Sequence, residues 1–174
     1  RVDFNAVHFM IIPIKAMVRH NPDVVKNHAN RTVPIVFLGK HIFKTPGTRF
    51  ETSFTLFPFD TTIEPTETAQ LIQSWEELWM DIVPSTETGL KMYCEDIINY
   101  LQRAITSSSW KLKSLSAAAI GSMAKSLKGQ LSKQQSAALL RILIDGLAGR
   151  TWEGKEHLLR ALGSLCSTQP IEEA

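Results

Sequence analysis

Five histidines (His8, His20, His28, His41 and His157) and two cysteines (Cys94 and Cys166) are the side chains best equipped to bind a metal or attack a substrate. A metal site needs such ligands at short, fixed spacings, as in HExxH or paired CxxC motifs. Neither is present: His20 and His28 lie two helical turns apart across an expected helix break, and the cysteines are 72 positions apart. Both thiols are expected to be free, in a reducing compartment. Glu76 and Glu77 adjoin an aromatic face, but neighbours on a helix point about 100° apart and cannot act as a facing carboxylate pair. There is no Gly-rich phosphate loop, no GxSxG turn and no Cys–His signature. Asn30-Arg31-Thr32 matches a glycosylation sequon; at an expected helix junction it reads as a chance match. No catalytic residues, cofactor site or metal site emerge, so the expectation is a non-enzyme that works through its surfaces.

The elements that build those surfaces must come from 174 residues, 44% of them apolar, with a net charge of +2. This is ordinary globular usage for one domain. The longest apolar run, Phe9 to Ile14, contains Pro13 and is far below the roughly 20 residues of a bilayer span, so no membrane insertion is expected. The chain opens on Arg1-Val2-Asp3-Phe4, which reads as the interior of a longer protein rather than a leader. The small net charge conceals blocks: +6 over residues 1–50, −9 over 51–100, +7 over 101–150 and −2 over 151–174. Such blocks are first read as solvated helix faces, and otherwise as complementary partner contacts. A nucleic-acid binder could use Lys111, Lys113, Lys125, Lys128, Lys133 and Arg141, but no aromatic lies between Trp110 and Trp152 to stack bases, and nucleic acid is not the expected partner.

A repeat organises the second half. At an offset of 42, Ser109-Trp110-Lys111-Leu112-Lys113 aligns with Thr151-Trp152-Glu153-Gly154-Lys155, and Ala119, Gly121 and Ser122 align with Ala161, Gly163 and Ser164. At the same offset Ile97, Ile98, Leu101 and Ile105 fall on Leu139, Leu140, Leu143 and Leu147. Two helices recur per unit. Leu112, Leu115, Ala119, Met123 and Leu127 step by three or four, as do Trp152, Lys155, Leu158, Leu162 and Leu165; Lys155, like Lys113, can lie along the face by its stem. Ser132 and Gln135 have capping-box spacing, Thr151 is placed to cap a helix starting at Trp152, and Gly149 to stop the one before. A helix of about 16 residues is roughly 24 Å long, and two with their turns fill the HEAT or armadillo period of about 40–47 residues. Trp110 and Trp152 are read as wedges between helix pairs, and Gly121 and Gly163 as places where a neighbouring helix comes close.

In the first half, Phe4 to Arg19 reads as a helix bent at Pro13. Asn21-Pro22-Asp23 starts another that runs to about His41 and breaks at Pro34. Between Phe43 and Pro65 come Phe43, Phe50, Phe54, Phe57 and Phe59 among many threonines, and helical periodicity vanishes; a long irregular loop is expected. A helix resumes from Glu67 to Ile82 with Leu71, Trp75, Leu78, Trp79 and Ile82 on one face, stops at Pro84, and restarts at Ser85 towards Thr106. The fold class is therefore all-α, an α-solenoid of HEAT-like antiparallel helix pairs. Its divisions are residues 1–41, a loop at 42–66, and 67–174, with repeats at about 85–126 and 127–168. The residues that define the repeat are Trp110, Lys113, Ala119, Gly121, Leu143, Leu147, Trp152, Lys155, Ala161 and Gly163.

Several strings carry a resemblance: Asn21-Pro22-Asp23-Val24-Val25-Lys26-Asn27-His28-Ala29, Val33-Pro34-Ile35-Val36-Phe37-Leu38-Gly39-Lys40-His41, Trp75-Glu76-Glu77-Leu78-Trp79, and Gly146-Leu147-Ala148-Gly149-Arg150-Thr151-Trp152-Glu153-Gly154-Lys155-Glu156. Together they resemble one stretch of the large HEAT-repeat proteasome adaptor and scaffold proteins, except from about Ile42 to Glu67, where the family has a shorter, acidic spacer. The resemblance implies binding to the proteasome core and regulatory particles, tethering of the two, assembly quality control, and contact with trafficking or motor proteins. It also implies residence in cytoplasm and nucleus, with peripheral association at endosomal or ER membranes. It assigns no partner-binding residue. The same architecture would serve a transport-receptor-like or phosphatase-type scaffold.

Overall fold

A computed structural model describes residues 11–42, 65–148, 151–152 and 154–168, with the backbone alone at 65–68 and 71. The Phe/Thr-rich segment, the residues before Ile11 and the Gly149 stop signal lie outside the described residues, and so does the Leu71 side chain. Nine helices and no strand occur among the described residues: α1 (Ile11–His20), α2 (Pro22–Asn27), α3 (Ala29–Gly39), α4 (Pro65–Ile82), α5 (Thr86–Met92), α6 (Cys94–Ile105), α7 (Trp110–Ser126), α8 (Lys133–Leu147) and α9 (Glu156–Thr168). The all-α solenoid expectation holds.

The caps show why several helices start where they do. Ser132 accepts from the Gln135 backbone N–H at 3.1 Å while the Gln135 side chain accepts from the Ser132 N–H at 3.0 Å, completing the capping box. Ser85 and Ser109 accept from the Thr88 and Leu112 N–H groups at the starts of α5 and α7. Elsewhere the boundaries moved. Asn21 makes no side-chain cap bond, although Pro22 does take the first turn. The helix expected to break at Pro34 breaks instead at His28 (φ −117°, ψ 21°), and Pro34 sits buried inside α3. The His28 carbonyl accepts from both the Thr32 N–H and the Thr32 hydroxyl, so the new helix is already secured when Pro34 forfeits one bond and packs its ring inward. The run from Ser85 to Thr106 is likewise interrupted, at Tyr93 (φ −112°, ψ 23°). Trp152 does not begin a helix. Gly154, at φ +89°, turns the chain where the previous unit has Leu112, and α9 starts only at Glu156.

Helix packing follows the solenoid plan. α6 lies between α3 and α8, while α7 packs against α6 and most extensively against α9, which in turn packs on α8. Three contacts fix the direction of α7 against α9. A Cβ on Gly154 would meet Ser114 Oγ at 3.1 Å, a Cβ on Gly121 would meet Ala161 Cα at 3.5 Å, and the Gly129 N–H donates to the Thr168 carbonyl at 2.9 Å. Because both partners advance together along the sequence, the helices run parallel, as successive second helices of a repeat must. One apolar cluster continues through the stack, from Ile11 and Ile14 through Trp75, Trp79, Ile97 and Leu115 to Leu143 and Leu165.

The junction of α3 and α4 is locked differently. A Cβ on Gly39 would lie 2.5–2.7 Å from ring carbons of the fully buried Trp75, so only glycine lets the indole sit there. Beside it, Lys40 Nζ pairs with Glu76 at 3.0 Å and stands 4.9 Å from the centre of the Trp79 ring, whose Nε1–H donates to Thr86 Oγ1 at 3.1 Å. Glu77 points to another helix and pairs with Lys15 of α1 at 3.2 Å.

Three substitutions separate these contacts. Leu143→Ala empties a fully buried site and is expected to cost about 2–5 kcal/mol; Gly39→Ala forces Trp75 to move and is expected to cost about 1–3 kcal/mol. Trp152 is half-buried, so Trp152→Ala is expected to cost about 1–2 kcal/mol, below the range for a fully buried Trp. Urea denaturation followed by circular dichroism reads all three, and a loss under about 0.5 kcal/mol for Leu143→Ala would contradict the packing.

Candidate interaction surface

The residues that mark the repeat distribute between interior and surface. Ala119, Leu143 and Ala161 are buried, and Leu147 and Trp152 are partly buried against the core. Gly121 is buried against Ala161. Trp110 is half-buried at the start of α7, with Lys111 Nζ 5.6 Å from its ring centre. Lys113, also half-buried, reaches 6.0 Å from the Trp152 ring, so the second indole meets the first unit's lysine across the repeat boundary. Lys155 is half-buried in the turn before α9. Gly163 differs from its counterpart: it is exposed, and a Cβ there would meet nothing within 4 Å. The close-approach reading thus applies to Gly121 and not to Gly163 among the described residues. The wedge reading fits Trp152 in part; the fully buried indoles are Trp75 and Trp79.

Polar links also cross the repeat boundary. Gln135 Nε2 of α8 donates to Glu95 of α6 at 2.9 Å. Glu87 of α5 accepts from Lys91 at 2.7 Å, and hydrogen bonds from Lys91 and Gln130 hold its carboxyl below the usual carboxylate range. Lys15 and Gln73 do the same for Glu77. These pairs are solvent-exposed and fix register more than they stabilise. The Glu95–Gln135 and Glu87–Gln130 links join residues about 40 positions apart and leave no local mark in the sequence, whereas Glu87–Lys91 and Gln73–Glu77 are ordinary i,i+4 pairs.

Of the six cations considered for nucleic acid, Lys125, Lys128 and Lys133 flank the α7–α8 turn and the other three lie elsewhere on these two helices. Lys111 and Lys113 stand in the first turn of α7, and Lys125 and Lys128 stand at its far end, about 21 Å away. Arg141 is 84% exposed and faces Asp145 at 3.9 Å. Among the described residues no three His, Cys, Asp or Glu side chains come together as a metal site. Burial pushes the Cys94 thiol up to about 11, with Glu95 adding to the shift, so this thiol stays protonated and unreactive. A cleft of about 120 Å³ opens between α1–α3 and the end of α4, lined by Val25, Val33, Ile82 and Tyr93 with Lys26 and Asp81. It is well short of the roughly 300 Å³ at which small-molecule sites begin. The geometry offers helical ridges and exposed apolar side chains such as Met80 and Met92.

No family model matches the chain, and no solved structure matches it. Three curated relatives do. The chain is 34% identical over 161 residues to the proteasome adapter and scaffold protein ECM29 of Homo sapiens, a match covering 92% of this chain and 8% of that protein. It is 28% identical over 155 residues to the proteasome-associated protein ECM29 homolog of Drosophila melanogaster, covering 88% of this chain and 7% of that one. A third match, 28% over 91 residues, is to the proteasome component ECM29 of Saccharomyces cerevisiae, covering 52% of this chain and 5% of the relative. The chain spans less than a tenth of the length of the relatives it matches.

The glutamate contacts predict a pH response. A carboxyl held below its ordinary value of 4.5 adds stability above the unfolded-state pKa and loses it as pH falls through the folded-state pKa. Urea midpoints of the parent should therefore fall between pH 5 and pH 3, and those of Glu87→Gln should fall less over the same interval. Parallel curves would remove Glu87 from the boundary contacts.

Proposed function

We propose, for a chain that belongs to the ECM29 family of proteasome adapter and scaffold proteins, that it is a non-catalytic segment of a scaffold which associates with proteasomes. The observation that carries this reading is the 34% identity over 92% of the chain. It acquires physical sense from helix pairs stacked on one continuous core. Such a stack contacts only its neighbours within the chain and leaves long ridged faces free for bulky partners. In this reading residues 1–41 and 67–174 are solenoid and 42–66 is a loop or insertion, with units at about 85–126 and 127–168. The ten repeat-marking residues are structural, and the segment contributes no catalysis.

The partners we assign are the proteasome core and regulatory particles, in cytoplasm and nucleus, with the full-length protein tethering the two and taking part in assembly quality control. No feature of the described residues supports trafficking or motor partners or peripheral membrane association. No described helix is long and apolar enough to cross a membrane.

Affinity purification of the full-length protein from cells tests the assignment. Subunits of both proteasome particles are expected in the eluate, with no nucleic acid retained at low salt. Purification free of both particles, from protein that remains folded, would overturn it.

A further inference from the structure

Lys26 and Asp81 carry the two charges of the cleft between α1–α3 and the end of α4, and they come from opposite blocks of the sequence, Lys26 from the basic first 50 residues and Asp81 from the acidic 50 that follow. Both are exposed. Lys26 makes only a loose contact with Asp23, at 4.0 Å, and no cation pairs with Asp81 among the described residues. Between them the lining is apolar: Val25 and Val33 are buried and Ile82 is half-buried, with Tyr93 beside them. The exposed methionines gather at the same place. Among the described residues these are Met17, Met80 and Met92, and each immediately precedes a lining residue, Val18, Asp81 and Tyr93. One residue step is 3.8 Å between Cα atoms, so α1, α4 and α5 each bring a methionine to the edge of this cleft. Methionine is the apolar side chain that best adapts its shape to a partner.

We infer that the cleft seats one bulky apolar side chain, Leu, Met or Phe, of a peptide segment of a separate protein, with an acidic residue of that segment against Lys26 and a basic one against Asp81. Volume sets the anchor. An apolar cavity of about 150 Å³ takes one benzene, so 120 Å³ with an open mouth takes one side chain of that class and neither a helix face nor a fused-ring cofactor. The rim sets the source. An apolar centre inside an exposed, charged rim is the plan of a contact between separate proteins. Charges of both signs at the mouth call for both signs in the occupant, which a polyanion such as nucleic acid does not supply.

The test uses the full-length protein in cells, with a photo-crosslinking amino acid in place of Met92. Mass spectrometry of the joined peptides should identify a segment of another protein in which a Leu, Met or Phe lies between an acidic and a basic residue. A fluorescein-labelled synthetic copy of that segment should bind the purified full-length protein, and should lose at least about tenfold in affinity when its anchor is replaced by Ala. Ala29→Phe, which fills the cleft, and the surface changes Lys26→Glu and Asp81→Lys, which leave the core alone, should each weaken the same peptide at least about fivefold. Cross-links only to peptides of this polypeptide, from its own chain or from a second copy, would overturn the inference. So would the absence of any cross-link, or a peptide whose binding all three variants leave unchanged. Recovery of proteasome particles is read separately, so the scaffold reading and this inference can fail independently.

Discussion

The approach of α7 to α9 is the contact on which the stack depends. Two helices of one layer can pack this closely only where side chains are small, and Gly121 and Ala161 meet at the crossing, with Ala117 one turn away on the same side of α7. The resulting proximity lets the Gly129 N–H reach the Thr168 carbonyl and brings Gly154 against Ser114. With those two ends and the middle fixed, α6 and α8 are set side by side, and Glu95 meets Gln135. The cross-boundary polar contacts are thus consequences of the small-residue seam; at their exposure they could not impose it.

A second device closes the α3–α4 hairpin. Gly39 accommodates Trp75, and Lys40 reaches Glu76 and the Trp79 ring. Lys40 is only 10% exposed, so its charge would be costly without these partners. Adjacent Glu76 and Glu77 serve two different helices, α3 and α1. The separation of about 100° between adjacent helical side chains, which denies them a shared catalytic role, lets them hold two neighbours at once.

Helix existence and the core stripe were legible because both follow from period. Leu112, Leu115, Ala119, Met123 and Leu127 are all buried as their spacing requires, and the Ser132–Gln135 capping box is local chemistry that sequence displays directly. Boundaries decided by tertiary contact were not legible. Pro34 stays inside α3 because its ring is buried there, while His28 and Tyr93 carry breaks that no proline or glycine announces. The late start of α9 turns on Gly154, whose positive φ and contact with Ser114 exist only once α7 is in place. On the surface, the offset of 42 relates Trp110 to Trp152 and Lys113 to Lys155 in sequence alone. That Lys113 stands over the indole of the following unit depends on stacking and leaves no mark in the order of residues.

Several of the chain's chemically versatile groups are held within the structure: Cys94 is buried, and Glu76 and Glu77 are engaged in ion pairs. What the chain offers is shape repeated at a fixed step, as suits a scaffold. The step itself can be measured by replacing Gly121 and Ala161 with cysteines in a protein whose Cys94 and Cys166 are serine. A Cβ at position 121 would lie 3.7 Å from that of Ala161, close to the mean separation in disulfides, about 3.8 Å. Mild oxidation of the folded protein should close an intramolecular bond between the two, detected by peptide mapping. Two free thiols in protein that retains its helical circular dichroism would contradict the stacking of one repeat on the next.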